Sequence, residues 1–169
     1  KAQGLKNTIT TFESFAASEH RIYILLDETH KIALGFLKVG FRRLYIYNAA
    51  GVQHEIVPLC LFDFYICDGC QRRGYGRIMY DSMLKNEKIE PRMIAIDRPS
   101  TFCLNFMKKH FGLEEFIPQT NNYVVYDDYF ANETNQDKYV SKTPTKTYKP
   151  PIEVSGYNPM HSQTPKKQK

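Results

Sequence analysis

Apolar positions in this chain fall into short runs punctuated by Gly, Pro and Asn rather than into one long period. His20–Leu26 (HRIYILL), Ile32–Val39 (IALGFLKV) and Arg43–Tyr47 (RLYIY) are rich in β-branched and aromatic residues and predict strands. Asn48–Gly51 predicts a turn after the third. Pro58–Cys67 (PLCLFDFYIC) is almost continuously apolar, the pattern of a strand covered on both faces, and therefore a central one. Beyond a loop at Gln71–Gly76, the pairs Met79/Met83 and Tyr80/Leu84 predict a helix over Arg77–Lys88. Met93–Ile96 predicts a short strand. Ser100 is placed to cap a second helix with Phe102/Phe106 and Cys103/Met107 on its apolar face, and Gly112 to end it. Asn122–Phe130 predicts a last strand. The order β-β-β-β-α-β-α-β implies an α+β fold, a mixed sheet with helices packed on it.

Composition narrows this picture. The chain has 169 residues, 42% hydrophobic, with 12 Tyr and 11 Phe, enough for one aromatic-rich core and too apolar for wholesale disorder. Four cysteines are too few for a disulfide scaffold, no run approaches a membrane span, and no signal peptide opens the sequence, so a reducing cytosolic setting is the expectation. A start at Lys1 rather than Met is expected of a fragment. The net charge of +5 is unevenly placed: Ala131–Lys169 carries seven Lys against three acids, leaving only +1 for residues 1–130. That tail is rich in Thr, Pro and Lys and has no hydrophobic period. The expected division is a compact domain over 1–130 and a disordered tail over 131–169, extended near Pro150 and Pro151.

Candidate chemistry concentrates between the central strand and the first long helix. A loop with Gly74 and Gly76, opening onto a helix N-terminus, predicts an anion site from unpaired N–H groups and the helix dipole. Arg72, Arg73 and Arg77 add forked cations suited to phosphate oxygens. A Walker loop needs Lys-Ser/Thr after its last glycine, and Arg77-Ile78 after Gly76 weakens that reading. The dinucleotide fingerprint fails because Met79 stands where its third Gly belongs.

The series Gln71, Arg72, Arg73, Gly74, Tyr75, Gly76 resembles the acetyl-coenzyme A loop of the GNAT acetyltransferase superfamily. PLCLFDFYI, QRRGYGR, AIDRPS and PQTNNYVVYDDYF, in that order, resemble the α-tubulin N-acetyltransferase family, as do KAQGL at the start and a KVGFRRLYIY hairpin at Lys38–Tyr47. The resemblance runs from Lys1 to about Phe130. It implies a GNAT-like, mostly antiparallel sheet flanked by helices, lacking here a strand and helix that precede Lys1 in the family. It implies acetyl-coenzyme A as co-substrate. One cofactor-binding segment is Phe64, Tyr65, Ile66, Cys67, Asp68, Gly69, Cys70, Gln71, Arg72, Arg73, Gly74, Tyr75, Gly76 and Arg77. A second is Ser100, Thr101, Phe102, Cys103, Leu104, Asn105, Phe106, Met107, Lys108 and Lys109. It further implies Asp97 and Arg98 in catalysis and tubulin contact, Cys60 near the acetyl group, Gln3 as crucial for activity, and Lys38, Arg42 and Asp63 at the rim receiving the tubulin loop.

The residues themselves leave alternatives. Asp97 ends a strand before Arg98-Pro99, so it either faces a cleft or pairs with Arg98 in a turn. Cys60 lies in an apolar run where packing alone explains a cysteine. Asp63 interrupts that run and needs a partner or solvent. Cys67 and Cys70 form Cys-x-x-Cys without a second ligand pair, so no metal is expected and the two thiols read as unrelated. His20, His30, His54, His110 and His161 are scattered and are assigned no catalytic role.

The resulting expectation is a lysine N-acetyltransferase acting on a lumenal lysine of α-tubulin, by direct transfer in a ternary complex. Its expected setting is a monomer on cytoplasmic microtubules, ciliary or flagellar axonemes among them, with no nucleic-acid or membrane partner. Two rivals are a GNAT enzyme with another protein or small-amine acceptor, and a non-catalytic microtubule-binding module.

Overall fold

The computed structural model describes residues 11–131. Gln3, the KAQGL segment and the tail beyond Ala131 lie outside the described residues. In chain order the elements are α1 (Phe12–Ala16), β1 (Arg21–Asp27), β2 (Ile32–Phe41), β3 (Leu44–Tyr47), β4 (Gln53–Ile56), β5 (Leu59–Ile66), α2 (Tyr75–Glu87), β6 (Ile94–Asp97), α3 (Thr101–Phe111) and β7 (Tyr123–Val124). Five strands form one sheet in the order β1-β2-β5-β6-β7, and β3 and β4 form a separate hairpin. Every pairing is antiparallel except β5 with β6, which α2 connects by a crossover.

The two faces of the sheet are buried by different partners. Leu37, Val39, Leu59, Leu61 and Ile96 pack under Met79, Tyr80 and Met83 of α2 and Met107 of α3. On the opposite face Cys60, Ala95 and Tyr123 pack under Leu44, Ile46 and Ile56 of the β3–β4 hairpin. This explains the almost unbroken apolar run of β5, whose residues enter two cores. Side-chain bonds then tie the hairpin to the segment before β7. Gln119 accepts from Tyr47 N–H at 2.9 Å and donates to Tyr47 C=O at 2.8 Å, and Asn121 donates to Tyr45 C=O at 3.3 Å. These amides stand in for a strand along the open edge of β3.

The helix caps follow the sequence signals. Ser100 Oγ accepts from Cys103 N–H at 3.2 Å, and Gly112 closes α3 at φ 69°. Three expectations differ from the structure. Lys38–Tyr47 is not a hairpin: β2 is flanked by β1 and β5, so it has no free edge for β3, which pairs with β4 instead. That fourth strand, QHEI, is too polar to be read as a strand alone. The last strand is confined to Tyr123–Val124; Tyr126 bridges to Phe116, and Asp127–Tyr129 form a 3-10 turn fastened by Asp127 N–H to Glu115 C=O at 3.0 Å.

Candidate active site

The one parallel strand pair makes a fork. β5 and β6 are in register at Leu59–Ile94, Cys60–Ala95 and Leu61–Ile96, and there the pairing stops. The register between β2 and β5 passes from Val39–Leu61 to Lys38–Asp63, which leaves Phe62 as a bulge. Beyond the bulge, β5 keeps its ladder to β2 only, so its other row of backbone N–H and C=O groups faces the fork. Crevices at the carboxyl ends of parallel strands are where such sheets bind ligands. The bulge also exchanges faces. Leu61 and Phe64 both belong to the helix side, whereas Cys60 and Phe62 belong to the other. Asp63 thereby meets Lys38 directly, with Nζ to Oδ2 at 2.7 Å and the side chains 10% and 11% exposed.

Around the mouth of the fork lie Cys60, Asp97, Arg98, Arg42 and Tyr123. Cys60 is fully buried, and its thiol points at the Pro58 carbonyl at 3.6 Å. Burial, reinforced by the nearby Asp97 charge and opposed by Arg42, pushes its pKa up to about 12. It is therefore a thiol rather than a thiolate at neutral pH. Asp97 is mostly buried and bound at both oxygens by Arg98, at 3.1 and 3.2 Å. Arg98 is itself largely exposed and sits at φ 43°, while its N–H donates to Asn122 C=O at 3.0 Å. Of the two readings of Asp97, the pairing with Arg98 in a turn is present, and that turn follows directly on the last β5–β6 pair. Tyr123 stands opposite Asp97 across β6–β7, and its hydroxyl accepts from Arg42 at 3.1 Å. Its pKa is raised by burial, then by Asp97 and Cys60.

At the far end of β5, Gln71 donates its amide to Ile66 C=O at 2.9 Å and to Asp68 Oδ1 at 3.0 Å, folding the loop back on the strand. Gly74 caps α2 at φ 87°, a conformation other residues rarely adopt, and a side chain there would point into open space. Gly76 has a different reason: a Cβ would lie 3.3 Å from the Phe64 ring, so it is small for packing. Arg72 and Arg73 are exposed at the loop tip. Arg77 departs from its expected phosphate role, because its guanidinium is occupied by Asp81 at 2.7 Å, by His110 C=O at 3.0 Å and by the Phe111 face. Along the second segment, Ser100, Thr101 and Phe102 open α3 at the surface, whereas Met107 is fully buried in the helix-side core. Lys108 pairs with Glu114 at 2.7 Å.

Two residues enter this region that sequence reasoning assigned to nothing. Tyr123 is one. His20 is the other: its ring occupies the space over Gly40, 2.4 Å from where a Cβ would be, and lies 4.5 Å from the Phe62 ring. Burial and the cations Lys38, Arg42 and Arg21 lower its pKa, against Asp63, so the imidazole is neutral at physiological pH. The only local signal was Gly40, opposite Cys60 in register.

A family model described as GNAT acetyltransferase, Mec-17, matches residues 1–155. The chain belongs to this family. As a Mec-17-type GNAT chain it is 44% identical over 134 residues to an α-tubulin N-acetyltransferase of Aedes aegypti, covering 78% of this chain and 49% of that protein. It is 41% identical over 167 residues to one of Trichoplax adhaerens, covering 95% and 70%. The chain thus spans about half the length of the Aedes relative. A solved bacterial toxin structure shares the fold with TM-score 0.54 at 15% identity, over 73% of this chain and 76% of that one. The mixed, mostly antiparallel sheet with its flanking helices is accordingly a GNAT fold.

Proposed function

We propose that this chain is a lysine N-acetyltransferase that moves acetyl from acetyl-coenzyme A to a lysine of α-tubulin on the lumenal side of microtubules. The carrying observation is the fork: an acid and a buried thiol sit where β5 and β6 part, at one end of an open strand edge leading to a glycine-arginine loop. The names of the 41–44% identical relatives support the tubulin acceptor.

The donor set suits acetyl-coenzyme A. The first turn of α2 with Arg72 and Arg73 would hold the diphosphate. The open edge of β5 over 62–66 would pair with amide groups of the pantetheine arm, beside Ser100 and Phe102 at the start of α3. Arg77 contributes by bracing α2 against the end of α3 with its guanidinium rather than by meeting a phosphate. Acetyl-coenzyme A supplies the activated thioester when bound.

An acceptor lysine must lose a proton first, which at pH 7 costs roughly 4–5 kcal/mol from a pKa of about 10.4. Asp97 would orient the amine or take its proton, steadied by Arg98. Cys60 would act as a neutral wall and hydrogen-bonding group. A thiol with a pKa of about 12 is a poor acyl acceptor, which favours direct transfer over an acyl-cysteine. Lys38, Arg42 and Asp63 would form the rim, and the acting unit would be a cytoskeletal monomer with its domain over 1–130.

The test is incubation with labelled acetyl-coenzyme A and microtubules, with the modified residue mapped by mass spectrometry. One α-tubulin lysine and no acetyl on Cys60 are expected. Acetylation of polyamines but not tubulin would assign another acceptor. Salt-sensitive co-pelleting without transfer would make the chain a binding module.

A further inference from the structure

Cys67 and Cys70 bracket one 3-10 turn (Asp68–Cys70) between the end of β5 and the glycine-arginine loop. Cys70 N–H donates to Cys67 C=O at 2.8 Å, and Cys67 N–H is anchored to Leu34 C=O at 2.8 Å. A turn of this kind holds its end Cα atoms within about 7 Å, and disulfides bridge separations up to about 6.8 Å. With the two side chains held on one turn, Cys67 and burial together raise the Cys70 pKa. Both thiols are free and half-exposed. Cys60 contrasts with them in being buried, and Cys103, partly exposed like the pair, stands alone, its thiol pushed up to about 11 by burial. Among the described residues no group of three or more His, Cys, Asp or Glu is arranged to hold a metal ion. The thiols that read as unrelated in sequence stand at the two ends of one hydrogen-bonded turn in the structure.

We propose that Cys67 and Cys70 are an oxidisable dithiol that peroxide converts to an intramolecular disulfide at the entrance to the cofactor loop. The Cys67 thiolate attacks hydrogen peroxide, forming Cys67 sulfenic acid and releasing hydroxide. The Cys70 sulfur then displaces the sulfenic oxygen as water, so two thiols and one peroxide become one disulfide and two waters. A dithiol reductant reverses it. Because the turn ends at Gln71, whose amide closes the loop on Ile66, the bond alters the approach to the α2 N-terminus. This consequence rests on the acetyl-coenzyme A reading.

The folded chain is treated with hydrogen peroxide, unfolded, alkylated and digested with trypsin. The peptide over residues 44–72 is expected to lack two hydrogens and to carry one alkyl group, on Cys60, with Cys103 alkylated elsewhere. Three alkyl groups on that peptide, or a disulfide involving Cys60 or Cys103, overturn the proposal. In Cys70→Ser, peroxide should stop at a sulfenic acid on Cys67 trapped by dimedone, and no adduct overturns the order of attack. Calorimetry should show weaker acetyl-coenzyme A binding by the oxidised chain, restored by dithiothreitol, and equal affinities overturn the coupling. Absence of binding by the reduced chain would sink the acetyltransferase reading instead, while the peptide map still decides the dithiol.

Discussion

The two halves of β5 share one apolar sequence and do different work. Leu59, Cys60 and Leu61 have strands on both edges and cores on both faces, and none is more than 2% exposed. Phe62–Tyr65 have a strand on one edge only and are half-buried. In the first half every ladder group has a partner within the fold. In the second, one row of polar backbone groups is left facing the fork, and such groups demand partners from water or a ligand. The change happens within one bulged residue. Stability and recognition therefore lie end to end on one strand, and the groups proposed for chemistry sit at the junction.

The largest effect expected at that junction is kinetic. Asp97→Asn should lower turnover about 10²- to 10⁴-fold while acetyl-coenzyme A affinity is retained, and unchanged tubulin acetylation would remove Asp97 from the mechanism. Next comes Lys38→Met, which removes the cation 2.7 Å from the Asp63 carboxylate in a nearly closed site and should cost about 3 kcal/mol in urea unfolding. The double variant Lys38→Met/Asp63→Leu should recover most of that loss; a double variant no more stable than the single one would mean the cost is packing. Leu61→Ala should likewise cost about 3 kcal/mol, against under about 1 kcal/mol for Tyr65→Ala in the open half. Equal costs would erase the distinction between the halves.

The smallest effect is a pH slope. The folded pKa of His20 lies below the ordinary value of about 6.5, so as pH falls the unfolded chain takes up the proton first. The stability that neutral His20 contributes is therefore present above about pH 6.5 and is lost as pH falls through its lower folded value. His110 has the same sign, from burial and then Arg77 and Lys109. Melting temperature should decline between about pH 7 and pH 5. His20→Gln should flatten that decline, and an unchanged slope would mean His20 does not titrate as its surroundings imply.

The glycine-arginine loop was legible because its signals are local: a strand end, three glycines, three arginines and a helix start within the twelve residues Ile66–Arg77. Ser100 and Gly112 were legible for the same reason. The partners of Arg77 were not, because a guanidinium next to a glycine loop reads the same whether it meets a phosphate or His110 C=O, 33 positions away. Gly76 belongs to the loop signal by sequence, and only the fold shows that a Cβ there would crowd the Phe64 ring. The Arg42–Tyr123 bond joins residues 81 positions apart, and no periodicity encodes it.

By itself, the sequence determined the alternation of strands and helices, the two-faced burial of β5 and the family resemblance, since these rest on local periodicity and on ordered motifs. Tertiary structure alone decided where β5 leaves β6, which face Asp63 takes, and that β3 pairs with β4 rather than β2. Register and edge availability are properties of paired strands. A residue's face and its neighbour across a ladder exist only once the other strand is in place.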